Sequence, residues 1–230
     1  MITSICDHYV DPSTMKLGGW VLDLGCAGFQ GVEYYLSQGF KVIGLEPARF
    51  HTSCTPSQRL LDHKNYIHSS KACVGIKTEE MMTFYEYAWG GANSLILKPE
   101  MLNQEKYEGH GKNPFLTSYE VCVTTITEIM DENDIQEFEY IKMDIEGAEY
   151  DIVENLPTGI KQLSIEFHDF LDLCPDQDTD KYHENLSNNI LINYKRVVAF
   201  GTPTDSRTLI EKGGWKNNVD DCLYIRKDLL

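Results

Sequence analysis

The chain has 230 residues, enough for one domain spanning 1–230 with a sizeable core, and its 36 acidic against 20 basic residues give a formal charge of -16. Such a surface repels phosphate backbones and anionic membranes, and the densest basic pair, Lys195 and Arg196, is too small to reverse that locally, so nucleic acid and membrane partners are excluded from the expectation. Seven cysteines (6, 26, 54, 73, 122, 174 and 222), an odd number without C-x-x-C spacing, read as reduced, buried thiols and not as a disulfide frame or a zinc site. With no basic-then-apolar leader and no apolar run near the ~18 residues of a membrane span, a soluble cytoplasmic protein is expected.

The first strong pattern is an apolar strand, Trp20, Val21 and Leu22, that ends in Asp23 and enters a turn with Gly25, Gly28 and Gly31. A helix with Val32, Tyr35 and Leu36 inward follows, then a second apolar strand, Val42 to Leu45, ending in Glu46 and Pro47. This is half of a nucleotide-binding βαβ unit. A dinucleotide fingerprint would need glycine at position 26, where Cys26 stands, and would set a pyrophosphate beside the like charge of Asp23. S-adenosylmethionine carries a sulfonium and an ammonium and no phosphate, so for it Asp23 becomes an attraction. Glu46 would accept both hydrogen bonds of a ribose diol. The cofactor-binding set is then Asp23, Gly25, Cys26, Ala27, Gly28, Glu46, Pro47 and Ser70. Read without a ligand, the three glycines make only a tight strand-to-helix turn.

Further along, strands and helices alternate, which points to α/β architecture. Asn65 to Ser69 predicts a short strand, and Met82 to Tyr87 and Val121 to Ile126 predict extended runs. Glu139 to Asp144 reads as a buried strand and Tyr150 to Leu156 as a helix stopped by Pro157. Gln162 to His168 is the next strand, Ile190 to Tyr194 ends a helix, and Arg196 to Phe200 and Cys222 to Arg226 are the last strands, with a polar connection over Gly201 to Asp205. Two long irregular segments remain, 88 to 118 and 169 to 188, and long loops on α/β domains carry substrate contacts. In the first, Trp89, Tyr107 and Phe115, with Tyr119 just beyond, suit stacking on an uncharged ring, or pack the loop onto the sheet.

The second chemical cluster is Asp144, Glu146 and Glu149, with Glu166, His168 and Asp169. Residues two apart on a strand share a face, so Glu166 pairs with His168, as Asp144 does with Glu146 if the strand runs that far. Acids and an imidazole at carboxyl ends of parallel strands compose a general acid/base site or a metal site. The catalytic set is His168 as base with Asp144 and Glu146. Glu149 instead suits a helix N-terminus. The histidines at 8, 51, 63, 68, 110 and 183 read as loop or surface residues.

The run Ile141 to Glu149, with the Glu166-x-His168 strand end, resembles the FkbM-type methyltransferases, a family of S-adenosylmethionine-dependent O-methyltransferases. Met82 to Tyr85, Gly91 to Leu95 and Thr124 to Ile129 add weaker similarity, so the likeness runs from about Trp20 onward. It implies a doubly wound, Rossmann-like class I methyltransferase sheet of order 3-2-1-4-5-7-6, the last strand antiparallel, and transfer of a methyl group to a hydroxyl of a saccharide or small metabolite. The family's first turn usually reads Asp-x-Gly-Ala-Asn-x-Gly. Here Cys26, Ala27 and Gly28 stand for Ala, Asn and x, and Phe29 for the second glycine, so Gly28 would supply the close approach. Related macrolide sugar O-methyltransferases hold Mg2+ with acids at the fourth and fifth strand ends, which here would be Asp144 and Glu166, with Asp169 nearby. The short stretch before Trp20 implies that a helical cover is missing or comes from another subunit of a homo-oligomer. Two alternatives stay open from the residues: an NAD(P)-dependent oxidoreductase, and a non-catalytic S-adenosylmethionine-binding partner subunit.

Overall fold

The computed structural model describes residues 2–6, 8–87, 93–96, 115–167, 190–200 and 220–230. In chain order the elements are β1 (Thr3–Ile5), β2 (His8–Val10), β3 (Trp20–Leu24), α1 (Gln30–Ser37), β4 (Lys41–Leu45), α2 (Gln58–Leu61), β5 (Tyr66–Ser69), β6 (Ala72–Cys73), β7 (Met81–Tyr87), β8 (Phe115–Thr124), α3 (Ile126–Glu132), β9 (Phe138–Met143), α4 (Glu149–Glu154), β10 (Gln162–Phe167), β11 (Tyr194–Phe200) and β12 (Asp220–Arg226). Seven of the strands form the main sheet in the order β11-β12-β10-β9-β3-β4-β5. From β10 to β5 every pairing is parallel, while β12 runs antiparallel to both of its neighbours. Among the described residues no helix is long and apolar enough to cross a membrane.

The period-two alternation of the strands sorts their side chains onto two covered faces. Leu22, Leu24, Ile141, Met143, Leu163 and Ile165 pack with residues of α3 and α4. Val21, Val42, Tyr140 and Leu223 face the other way, onto Val32, Tyr35 and Leu36 of α1 and onto Ile5 and Val10. Side chains two positions along from the second set share its face. Asp23 and Lys142 therefore stand on the α1 side of the sheet, as do the alternating residues of β10 that do not join the first set, Gln162, Ser164 and Glu166.

That polar stripe receives an element absent from the sequence reading. The stretch before β3 folds as the antiparallel pair β1–β2, with Thr3 opposite Val10 and Ile5 opposite His8. Gln162 is fully buried and grips it: its Oε1 accepts from the Asp11 N–H at 2.9 Å, and its Nε2 donates to the Asp11 carbonyl at 2.9 Å and to Thr14 Oγ1 at 2.8 Å. Ser164 Oγ accepts from the Tyr9 N–H at 3.3 Å. Where a helical cover was expected to be missing or to come from another subunit, this chain places a β-hairpin.

A second sheet, β6-β8-β7, holds β8 antiparallel to β7 and parallel to β6. The run expected to be extended through Ile126 stops at Thr124, because Thr125 and Glu128 form a reciprocal cap. Thr125 Oγ1 accepts from the Glu128 N–H at 3.1 Å, and Glu128 Oε2 accepts from the Thr125 N–H at 3.2 Å. This Thr-x-x-Glu pair outweighs the β-branched composition and starts α3. At its other end β8 begins at Phe115, inside the segment expected to be irregular. The segment 169–188 and the connection 201–205 lie outside the described residues.

Replacing Gln162 by alanine removes three part-buried hydrogen bonds, among them the Oε1 acceptor of the Asp11 N–H. A loss of roughly 2–4 kcal/mol in urea unfolding is expected, with faster hydrogen exchange at Tyr9 and Asp11. Unchanged protection of those two amides would show that the hairpin is held by something other than Gln162.

Candidate functional site

The turn after β3 is fixed by a close crossing. Gly25 has φ 78°, and a Cβ there would lie 1.9 Å from the Asp144 carbonyl oxygen, so the backbone alone fits between the ends of β3 and β9. The amides of the turn are committed inward. Those of Gly25 and Cys26 donate to the Leu45 carbonyl at 3.0 and 3.3 Å, that of Gly28 to Ser53 at 2.7 Å and that of Phe29 to Cys26 at 2.9 Å. A phosphate cradle needs such amides pointing at the ligand, and these four point elsewhere. Gly28, expected to approach the cofactor, instead satisfies φ 80° and that bond to Ser53, and it lines neither cleft described below.

The first cleft opens beyond the carboxyl ends of β3, β4 and β9. Of the expected cofactor residues, Gly25, Ala27, Glu46 and Pro47 line it. Ser70 is exposed, and the lining beyond β5 comes from Lys71, Ala72 and Cys73 instead. Asn93 and Leu95, quoted from the sequence only as a likeness, line the cleft too. Asp23 and Cys26 belong to a second cleft, together with His8, Tyr140 and Lys142. Ala27 and Asp144 line both, so the two clefts meet there.

Glu46 ends β4 with its side chain buried, and its Oε1 accepts from the Ala48 N–H at 3.0 Å. Burial pushes its carboxyl up to about 7, against the partial relief of the Ala48 bond and the Lys142 charge. The loop that follows is tied down by Glu86 of β7, which is fully buried. Glu86 accepts from the amides of Arg49, Phe50 and His51 at 3.0, 2.8 and 2.9 Å and from the Tyr119 hydroxyl at 2.6 Å. Tyr119 also reaches the Pro47 carbonyl at 3.1 Å. It therefore shapes the Glu46 loop, its hydroxyl engaged there. Trp89, Tyr107 and the side chain of Phe115 lie outside the described residues.

At the junction, β9 stops at Met143, so Asp144 and Glu146 do not share a strand face. Glu146 adopts φ 60°, a left-handed conformation costly for a residue with a Cβ, and Gly147 follows at φ 116°. The turn is held from both sides. Glu149 accepts from the amides of Ile145 and Gly147 at 3.0 and 2.8 Å, the capping role its position suggested, and Ser94 Oγ donates to the Glu146 carbonyl at 2.8 Å. Glu146 lines the first cleft and stands apart from the cluster that Asp144 joins.

That cluster contains a residue the sequence reading set aside. His8 is 4% exposed and lies in β2, where the hairpin carries it onto the sheet. Its Nε2 stands 3.7 Å from Asp144 Oδ2 and 4.0 Å from Glu166 Oε2, and its Nδ1 is 3.4 Å from Ser164 Oγ. The alternation of Gln162, Ser164 and Glu166 on a strand otherwise apolar was the signal that something polar covers this face. His168 and Asp169 lie outside the described residues. Lys142 completes the junction, with Nζ 3.5 Å from Asp23 Oδ1 and 3.4 Å from Asp144 Oδ2. Burial opposes its charge, but the two carboxylates win and hold the ammonium above the usual lysine range. Asp23 Oδ1 is buried and accepts no hydrogen bond, and the Lys142 ammonium supplies its compensating charge. Burial first, then Asp23 and Glu46, push the Cys26 thiol well up, so it is packing and not a nucleophile. Among the described cysteines, Cys6 and Cys122 are exposed, departing from the expectation that all are buried.

Residues 26–186 match the family described as the methyltransferase FkbM domain. No curated protein matches the sequence. Among solved structures, a Listeria monocytogenes protein described as an S-adenosylmethionine dependent methyltransferase is similar at TM-score 0.45 and 10% identity, over 92% of each chain. The Methanococcus jannaschii fibrillarin pre-rRNA processing protein is similar at TM-score 0.41 and 12% identity, over 99% of this chain and 82% of that one.

Glu46 yields a stability prediction. Its folded value of about 7 lies above the ordinary 4.5, so the folded state is penalised wherever the group is ionised in both states, at pH above 7, and is relieved as the pH falls toward 4.5. Glu46→Gln should therefore stabilise the ligand-free protein at pH 8, on the order of 2–3 kcal/mol, with the gain shrinking by pH 6. Urea unfolding at both pH values checks it; an equal or lower stability at pH 8 would contradict the buried, ionised carboxylate.

Proposed function

The chain belongs to the FkbM methyltransferase family, so S-adenosylmethionine-dependent methyl transfer is its reaction class, and we propose that the acceptor is a hydroxyl of a saccharide or small metabolite seated in the second cleft. The observation that carries this reading is the meeting of two clefts at Ala27 and Asp144, one bearing Glu46 and the other the carboxylate and imidazole cluster. The donor set fits the cofactor. Glu46 offers its carboxylate to a ribose diol, and the buried Asp23 carboxylate adds negative charge toward a positive methionine end. The inward-turned amides of the glycine turn count against pyrophosphate, and so against the oxidoreductase alternative.

When bound, the cofactor supplies a methyl group activated on a sulfonium. The remaining work belongs to the chain. An alcohol is a weak nucleophile while protonated, so a base must take its proton as the acceptor oxygen gains the carbon and the carbon–sulfur bond breaks. His168 is our choice of base, directly after β10, with Asp144 and Glu166 orienting the hydroxyl. A surface at -16 disfavours RNA and other polyanions as acceptors.

Glu46→Ala should weaken cofactor binding at least tenfold by calorimetry, and the wild-type affinity should fall as the pH drops below 7, where Glu46 takes up its proton. Unchanged affinity would overturn the placement of the nucleoside. His168→Ala should lower turnover about 100-fold or more with cofactor affinity nearly intact. For the acceptor, labelled cofactor with parallel pools of neutral glycans, hydroxylated metabolites and RNA should label the first two. Label chiefly in RNA would sink the acceptor class, and no transfer to any pool would favour a non-catalytic partner subunit.

A further inference from the structure

We propose that His8, Asp144 and Glu166 form a binding site for one divalent cation of the manganese-to-zinc series, with the N-terminal hairpin contributing the nitrogen ligand. One ligand atom from each residue lies within 4.8 Å of the others. The His8 Nε2 separations of 3.7 and 4.0 Å are too long for hydrogen bonds, which need about 2.7–3.2 Å. They match the roughly 3–4 Å between two ligands that share an ion about 2.1 Å from each.

The imidazole is set up for this. Ser164 Oγ beside Nδ1 can take the proton on that nitrogen, which leaves the Nε2 lone pair toward the two carboxylates. The His8 side chain is 5% exposed, whereas those of Asp144 and Glu166 are 29% and 24% exposed, so the ligand side away from the hairpin stays open. Among the described residues, Asp23, Asp144 and Glu166 bring three carboxylates to the junction and Lys142, which contacts the first two, brings one ammonium.

The nitrogen donor separates this site from the Mg2+ expected by analogy, because Mg2+ keeps to oxygen ligands whereas imidazole suits the later divalent metals. The site itself stands on the described residues alone. Its use in catalysis, lowering the pKa of an acceptor hydroxyl held on an open position, rests on the function proposed above.

The test is direct uptake. The full chain, stripped with chelator, is titrated calorimetrically with MnCl2 and separately with CoCl2, without cofactor or acceptor. One ion per chain is expected. His8→Ala and Glu166→Gln should each weaken uptake at least tenfold, and the visible absorption of bound Co2+ should change when the nitrogen ligand is lost. Glu166→Gln keeps the side-chain shape on a paired strand, so it tests the site even if His8→Ala loosens the hairpin. No saturable uptake below about 1 mM, or uptake unaltered in both variants, overturns the proposal. S-adenosylhomocysteine affinity in the same stripped protein keeps the two readings apart: intact binding without metal uptake removes the cation site alone, and metal uptake without it supports the cation site while removing the cofactor assignment.

Discussion

Lys142 places one ammonium between Asp23 and Asp144 and donates from the same nitrogen to the Gly25 carbonyl at 2.6 Å. Its side chain is 13% exposed and that of Asp23 4%, so both charges have left water, at a cost of several kcal/mol per ion unless each is compensated. The compensation spans the carboxyl ends of β3 and β9 and fixes the glycine turn against both. Without the ammonium, two carboxylates would face each other across the point where the clefts meet, and the close crossing of Gly25 over Asp144 would lose its tie.

The same constraint bears on the charge of the junction, where among the described residues one lysine stands against three carboxylates. Glu86 plays the corresponding part beside the first cleft, where four donors converge on one buried carboxylate and hold the loop that carries Glu46.

Much of this frame was legible. The Trp20 to Glu46 pattern, the buried strand into Asp144 and the Gln162 strand all lie where their periodicity put them, because each is a local alternation of apolar residues closed by a turn or charge. His8 was not legible. It sits on a three-residue strand too short to show a period, and its burial depends on partners more than 150 residues away, at Ser164 and Gln162. The start of α3 was legible in principle from Thr125 and Glu128, but the β-branched run before it dominated the reading. Glu146 was misplaced because the strand ends one residue before Asp144, and a left-handed residue two positions on cannot be seen in a periodicity.

The docking of the hairpin on β10 also orders events in time. The hairpin contacts at Tyr9 and Asp11 span 155 and 151 residues of chain, among the longest-range hydrogen bonds in the molecule. On a ribosome, His8 is therefore made long before the strand that receives it, and closing so large a loop repays its entropy only once β10 is in place. The lining of the first cleft is drawn from residues up to Ala148, so that cleft can assemble earlier. A nascent chain should complete the first cleft before the hairpin can close over the sheet.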